Sequence, residues 1–196
     1  MKHFSAESVL LPLQKLQQKH DELAHRDILS FDLYKRLKHM VLHFYKYAGR
    51  IEASRSTGDT HQLRRTLIDT FIICMASANA MNLSLGETIT DAFEANDLDS
   101  LAHELGKKIH STDFSAEAVH ALVILGGQMA KAIESADHME RGDPRAKMEE
   151  LVAQLTVVVL GILGHLNGKL DTDVRARLSE VELKSIFLRP LPALEH

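Results

Sequence analysis

Basic side chains recur at spacings of three and four residues along one stretch of the sequence. They are Arg36, His39, His43, Lys46 and Arg50. Residues three and four apart lie on one face of an α-helix, so this spacing predicts a stripe of positive charge. Because lysine and arginine bind phosphate directly, the stripe indicates a site for a phosphate-bearing ligand. The alternative is a solvated basic helix face.

A second basic group follows, and it ends in a carboxylate. His61, Arg64 and Arg65 precede Asp69, which lies in a strongly apolar run. A buried carboxylate needs a partner, and Arg65 or the preceding stripe offers one. Asp69 is therefore either half of a structural ion pair or a remaining metal ligand or substrate contact.

Two histidines of the stripe suggest a different chemistry. His39 and His43 are four residues apart, a spacing with which one helix face can present two ligands to Zn²⁺. No third ligand has a marked spacing to them. A zinc site at this pair is thus an alternative to phosphate binding.

The elements that would position these residues are predicted to be helices. Apolar residues recur with helical period, glycine and proline are scarce, and β-type alternation is nearly absent. The pattern predicts an all-α chain with a short helix after Ser84 and a helix that has Ser115 as its N-cap. Another helix should have Asp143 as its N-cap and Pro144 as its first residue. The longer helices are predicted at about 6–25, 30–56, 60–81, 98–109, 115–139, 144–166 and 171–188.

The two halves of the chain repeat one order of elements. A long helix, a Gly-Asp break, a long buried helix and a short helix occur in each half, with the breaks at 58–59 and 142–143. This predicts a helical bundle of two hairpin repeats around a pseudo-twofold four-helix core. Residues 1–110 would hold the N-terminal helix and the first repeat, and residues 111–193 the second, packed as one unit. Chance alignment of two amphipathic hairpins is the alternative.

Composition narrows the class of protein. Apolar residues make up 45% of the 196-residue chain and the formal net charge is −4, so neither nucleic acid nor a membrane is an expected partner. The longest apolar run, 155–166, is too short to span a bilayer. The lone cysteine, Cys74, should be a buried thiol, which is typical of a cytoplasmic protein. Residues 194–196 look like a purification-tag remnant.

Several segments together resemble one known family. GQMAKAIE at 127–134, RGDPR at 141–145 and EELVAQL at 149–155 are similar to the MazG-like, all-α nucleoside-triphosphate pyrophosphohydrolases. So are LIDTFI at 67–72 and ANAMNLSL at 78–85. The resemblance covers most of residues 35–95 and 117–185.

The resemblance implies a reaction and a metal. The family cleaves the bond between the α- and β-phosphates of nucleotides, using Mg²⁺ held by a Glu-Glu-x-x-Glu run and a Glu-x-x-Asp pair on facing helices. In the first half these positions hold Leu42, His43, Lys46, Thr66 and Asp69. In the second half they hold Ile124, Leu125, Gln128, Leu151 and Gln154. Only Asp69 is a carboxylate, so it is the candidate metal ligand.

These observations predict a MazG-like protein with degenerate metal ligands. It would bind a nucleotide or phosphate ligand, or a protein partner, and form a homodimer. The residues expected to contact phosphate are His39, His43, Lys46, Arg50 and Arg65. Arg175, Arg177 and Lys184 resemble the basic residues that the family carries on its last helix to meet phosphates, and a solvated face is the alternative for them.

Two further functions stay open. One is an active Mg²⁺-dependent pyrophosphohydrolase with its acids elsewhere, drawn from Glu52, Asp59, Asp69, Glu134, Glu149 and Glu150. Mg²⁺ is an expected cofactor only in that case. The other is a purely structural helical interaction protein without a ligand.

Overall fold

The structure, a computed structural model, describes residues 5–89, 95–185 and 188. The predicted all-α class is confirmed, since these residues contain helices and no strand. The predicted tag remnant at 194–196 lies outside the described residues. The helices are α1 (Ala6–Ala24), α2 (Arg26–Leu29), α3 (Leu33–Arg55), α4 (Thr60–Ala80), α5 (Leu85–Thr88), α6 (Leu98–Gly106), α7 (Phe114–Asp137), α8 (Pro144–His165) and α9 (Leu170–Glu182).

The four longest helices all start at an aspartate. In each, the carboxylate accepts a hydrogen bond from a backbone N–H three residues later, which satisfies a group that the helix itself leaves unpaired. The capping residues are Asp32, Asp59, Asp113 and Asp143. Asp143 and Pro144 are as predicted. The prediction of Ser115 as the N-cap of α7 is wrong. The N-cap is Asp113, two residues before Ser115, and its carboxylate accepts a hydrogen bond from the backbone N–H of Ala116.

Helix ends also differ from the predicted bounds where side-chain periodicity is a poor guide. Asn82 ends the α4 segment with a φ of 56°, a left-handed conformation that asparagine tolerates better than most residues. The last helix ends at Glu182, short of the predicted 188, and α6 ends at Gly106.

The four longest helices pack around one core. Helix α3 contacts α4 and α7, while α8 contacts the same two helices from the other side. Each helix contributes fully buried side chains to a continuous apolar cluster, for example Phe44, Phe71, Leu122 and Leu155. Burial of side chains of this size stabilises the fold by about 1.5–3 kcal/mol each.

Helix α6 lies against α8 at a point where α8 has no side chain. A Cβ atom at Gly164 would collide with the backbone of Ala102. Glycine is therefore required here by the close approach of the two backbones. This packing joins the segment between the two halves to the core.

Other expectations about buried and apolar segments can be compared with the structure. Cys74 is fully buried, as predicted. Within the described residues, no single helix has the length and apolar character needed to cross a membrane. The pair α8 and α9, bent by 111°, meets that test only when the two helices are taken together.

The remaining helices surround a cleft on one side of this core. Helix α1 contacts α4 and α9, α4 also contacts α9, and α3 packs along α4. The predicted basic stripe lies on the side of α3 that faces this group of helices.

Candidate functional site

A cleft of about 460 Å³ lies among α1, α2, α3, α4 and α9. We call it the histidine cleft, after the histidines that line it: His20, His25, His39 and His43. Lys46, Arg50 and Asp69 line it as well. Of the five candidate phosphate contacts and the one candidate metal ligand, the cleft thus brings together all except Arg65; Arg36 of the predicted stripe does not line it.

A row of polar contacts follows successive turns of α3 and joins His39, His43 and Lys46. Nζ of Lys46 lies 3.0 Å from Nδ1 of His43, and the Nε2 atoms of His43 and His39 lie 3.2 Å apart. Since an ammonium group only donates, Nδ1 of His43 accepts the hydrogen bond from Lys46. The proton of His43 is then on Nε2 and is donated to His39.

The electrostatics of the cleft keep the His43 ring neutral. Burial, followed by the nearby charge of Lys46, lowers the pKa of His43 to about 4. Burial also lowers the pKa of His39. The pKa of Lys46 is lowered by burial and by the positive charge of Arg50. The positive charge of the cleft thus rests on Lys46 and Arg50 rather than on the histidine pair.

Neither of these two cations has a carboxylate partner within the described part of the chain. Nζ of Lys46 lies 4.7 Å from the centroid of the Tyr47 ring, and the guanidinium carbon of Arg50 lies 5.8 Å from it. Tyr47 itself is buried, and this raises the pKa of its hydroxyl. An aromatic face attracts cations but cannot neutralise them, so the charge remains available to an anion.

Asp69 is held by a residue that the sequence did not assign to it. Arg177 of α9 donates from Nε to Oδ1 at 2.5 Å and from Nη2 to Oδ2 at 3.0 Å. The prediction that Arg65 or the basic stripe pairs with Asp69 is therefore wrong. Both side chains are largely buried, with exposed fractions of 9% for Asp69 and 15% for Arg177. A role of Asp69 as a metal ligand stays a prediction, and a cation would have to share or replace the contacts with Arg177.

Arg65 lies outside the histidine cleft, in a neighbouring pocket of about 250 Å³. Its Nη2 donates to both carboxylate oxygens of Glu180, at 2.5 and 2.7 Å. Next to it, Arg64 donates to Asp173 and to the backbone carbonyl of Leu166. We call this group the ion-pair face; it consists of Arg64, Arg65, Asp173 and Glu180. Asp69 and Arg177, which we call the wall pair, lie between it and the histidine cleft, since Arg177 lines both pockets. The phosphate role of Arg65 stays a prediction, and its geometry favours a structural ion pair.

The acids of the active-enzyme alternative do not come together. Each except Asp69 has a local role near its own helix end or turn: Glu52 bonds Arg55, Asp59 caps α4, Glu134 pairs with Lys131, Glu149 pairs with Arg145, and Glu150 pairs with Lys147. Among the described residues, no three of these carboxylates lie close enough to share an ion. Pyrophosphohydrolase activity stays an untested alternative.

Sequence reasoning missed the wall of the cleft that α1 provides. His20, Asp21 and His25 all line the cleft, and His20 is buried. The signal was present in the sequence, because Gln14, Gln17 and His20 occupy the buried face of α1 at spacings of three residues. Polar residues on the buried face of an amphipathic helix must have partners there.

Those partners form a network of amides behind the cleft. Nε2 of Gln14 donates to Oδ1 of Asn79 at 3.0 Å, and Nδ2 of Asn79 donates to Oε1 of Gln17 at 2.7 Å. Gln17 in turn hydrogen-bonds the carboxylate of Asp21. Through these contacts Asn79 joins α4 to α1.

Comparison with models of known protein families, with curated proteins and with solved structures finds no match for this chain. The resemblance to the MazG-like family therefore stays a prediction from the sequence. Functional inference depends on the geometry and charge of the histidine cleft itself.

Proposed function

We propose that the histidine cleft binds a phosphate-bearing small molecule of the nucleotide class, without cleaving it. The observation that carries this proposal is that Lys46 and Arg50 share one cleft and that neither has a carboxylate partner among the described residues. Every arginine of the adjacent ion-pair face, by contrast, contacts an acid.

At Lys46 and Arg50 the charges favour an anion, because the acids that also line the cleft, Asp21, Asp27 and Asp69, form no salt bridge with either cation among the described residues. Lys46 and Arg50 repel each other, and burial removes part of the water that would screen them. A phosphate group would accept charge-assisted hydrogen bonds from both and relieve that repulsion. His43 is adjacent and neutral, so it adds no further positive charge to this pair.

The cleft also has an apolar wall suited to the rest of a nucleotide. Met40, Ile72, Ile73 and Ala76 also line it. Its volume of about 460 Å³ falls in the range of small-molecule sites. A base and ribose against this wall would leave the phosphates at Lys46 and Arg50.

The proposal of binding without hydrolysis rests on the carboxylates. Mg²⁺-dependent cleavage needs several oxygen ligands around the metal and the phosphates. Asp69 is the acid of the cleft that corresponds to the family pattern, and Arg177 occupies both of its oxygens. We therefore assign Mg²⁺ no part in ligand binding.

We also propose the MazG-like arrangement of two repeats, with α3–α4 and α7–α8 as the corresponding hairpins. The contacts of α3 with α7 and of α4 with α8 support it.

We also propose that the protein forms a homodimer. Exposed apolar side chains on α3 and α7 support a contact surface for it: Leu42, Val123 and Ile124. Sedimentation equilibrium tests it, since an apolar-to-charged change at Ile124 should yield a monomer if this face is the interface.

The test of ligand binding is calorimetric titration of chelator-treated protein with ATP, ADP, AMP and adenosine. We expect phosphate-bearing ligands to bind and adenosine to bind at least about tenfold more weakly. Lys46→Gln and Arg50→Gln should each weaken ATP binding by about tenfold, the loss of one charge-assisted hydrogen bond. Lys38→Gln is the matched control, because Lys38 lies on the same helix, exposed, and pairs with Asp137.

The proposal fails if ATP and adenosine bind equally or if the two cleft variants bind like the wild type. No binding at millimolar nucleotide would favour the structural interaction protein. Release of pyrophosphate in the presence of Mg²⁺, lost in Asp69→Asn, would instead support the active enzyme.

A further inference from the structure

The C-terminal end of α1 brings two histidines and an aspartate together. The ligand-type atoms of His20, Asp21 and His25 all lie within 4.8 Å of one another. His25 follows the last residue of α1 with a non-helical φ of −132°, and its backbone N–H donates to the carbonyl oxygen of Asp21. The rings of His20 and His25 meet edge to face, with centroids 5.4 Å apart.

One histidine of this group is oriented by a second carboxylate. Nδ1 of His20 lies 2.9 Å from Oε1 of Glu182 on α9. If Nδ1 carries the proton, it donates to Glu182, and Nε2 keeps its lone pair. Metal-binding histidines are usually oriented by this type of hydrogen bond to a carboxylate.

Asp21 is positioned in the same way from behind. Gln17 hydrogen-bonds its carboxylate, and Asn79 of α4 fixes Gln17.

We infer that His20, Asp21 and His25 form a binding site for a divalent transition-metal ion of the Zn²⁺ or Co²⁺ type. Two imidazole nitrogens and one carboxylate oxygen are donors that such ions prefer, whereas Mg²⁺ prefers oxygen ligands alone. Three protein ligands leave at least one coordination position open. All three residues line the histidine cleft.

The location of this site gives it a consequence for ligand binding. His25 lines the same cleft as His39 and His43. An ion held at His25 would thus face the same space as Lys46 and Arg50. A phosphate oxygen could fill its open position, so metal should strengthen nucleotide binding. This consequence, unlike the metal site itself, rests on the proposed function.

The site is tested with untagged, chelator-treated protein, by calorimetric titration with Zn²⁺ and visible spectroscopy with Co²⁺. We expect one ion per chain and the intense visible bands of low-coordinate Co²⁺, which the hydrated ion lacks. Asp21→Asn, which keeps the side-chain shape, and His25→Ala should each weaken Zn²⁺ binding at least about tenfold. Glu182→Gln should weaken it by about 10–100-fold, as expected for an orienting partner. His138→Ala, at the exposed end of α7, is the control and should bind like the wild type.

Two results would overturn the inference: no stoichiometric Zn²⁺ binding by the wild type, or equal affinity in the wild type, Asp21→Asn and His25→Ala. Far-UV circular dichroism of each variant verifies that it is folded. Because nucleotide binding is measured on metal-free protein, failure of the metal site leaves that test unaffected. Failure of nucleotide binding likewise leaves the Zn²⁺ titration interpretable.

Discussion

The histidine cleft and the ion-pair face lie side by side and contain the same kinds of basic residue, but their charges are balanced differently. On the ion-pair face, α9 provides an acid for each arginine of α4: Asp173 for Arg64 and Glu180 for Arg65. In the histidine cleft, Lys46 and Arg50 of α3 face histidines and an aromatic ring. The wall pair Asp69–Arg177 separates the two regions.

This difference separates a structural role from a binding role. A cation that has its own carboxylate contributes to the fold and has little field left for a ligand. A cation without one contributes little to folding and is available to an anion. Removing charges from the two regions should therefore affect different quantities, and the three changes below test this from the largest expected effect to the smallest.

The largest effect should come from breaking the wall pair. Arg177→Ala leaves the carboxylate of Asp69 buried and unpaired, which typically costs about 3–5 kcal/mol of unfolding free energy. Urea unfolding followed by circular dichroism measures it. Arg175→Ala is the matched control on the same helix; its exposed pair with Asp171 should contribute less than about 1 kcal/mol.

A loss of less than about 1 kcal/mol in Arg177→Ala would contradict the structural role of the pair. The double variant Asp69→Asn, Arg177→Ala should recover part of the lost stability, since it removes the orphaned charge. Failure of the second change to restore any stability would show that the arginine acts by packing alone.

The intermediate effect should come from acidification, through His43. Its folded pKa of about 4 lies below the ordinary value of 6.5, so the unfolded chain takes up the proton first as the pH falls. The neutral His43 ring therefore contributes to stability above about pH 6.5. Between about pH 6.5 and pH 4 the free energy of unfolding falls by about 1–2 kcal/mol, after allowance for solvent screening. The groups that face His43 are His25, His39, Lys46, Tyr47 and Arg50.

Urea unfolding at pH 7 and pH 5 tests this, with His43→Gln compared against the wild type. Comparison with the variant is needed because burial shifts the pKa of His39 down and that of Asp21 up, and both also titrate with pH. The variant should lose less stability than the wild type at pH 5, whereas exposed His138→Gln should behave like the wild type. Equal losses in His43→Gln and the wild type would mean that the cleft does not desolvate this ring.

The fold was predictable from the sequence to the level of its helices. Apolar periodicity and Gly-Asp breaks gave the long helices α3, α4, α7 and α8 within a few residues, since these carry wide buried faces. The cap of α7 was missed because Asp113 and Ser115 are both good capping residues, and only backbone geometry separates them. The end of α9 was missed because apolar residues continue beyond it.

The site was predictable only along one helix. The spacing of His39, His43, Lys46 and Arg50 placed them on one face of α3, and they do line one cleft. The contacts between helices could not be predicted from the spacing of residues. Arg177 on α9, rather than Arg65, pairs with Asp69, and α1 supplies the opposite wall of the cleft. Such pairings depend on how helices pack, and local periodicity carries no information on that.

The smallest effect on stability should come from Lys46→Gln. Lys46 and Arg50 are four residues apart, and like charges at this spacing destabilise a helix by about 0.2–0.5 kcal/mol. Removing one charge should therefore leave the unfolding free energy unchanged or raise it by that amount, even though the same variant is expected to lose nucleotide affinity. Urea unfolding in chelator-containing buffer measures this. Lys38→Gln is measured beside it, because it removes an exposed lysine that does have an acidic partner.

A loss of more than about 1 kcal/mol in Lys46→Gln would mean that this lysine is needed for the fold. The two regions would then no longer differ in the way their charges are used, and the case for an anion at Lys46 and Arg50 would lose its basis.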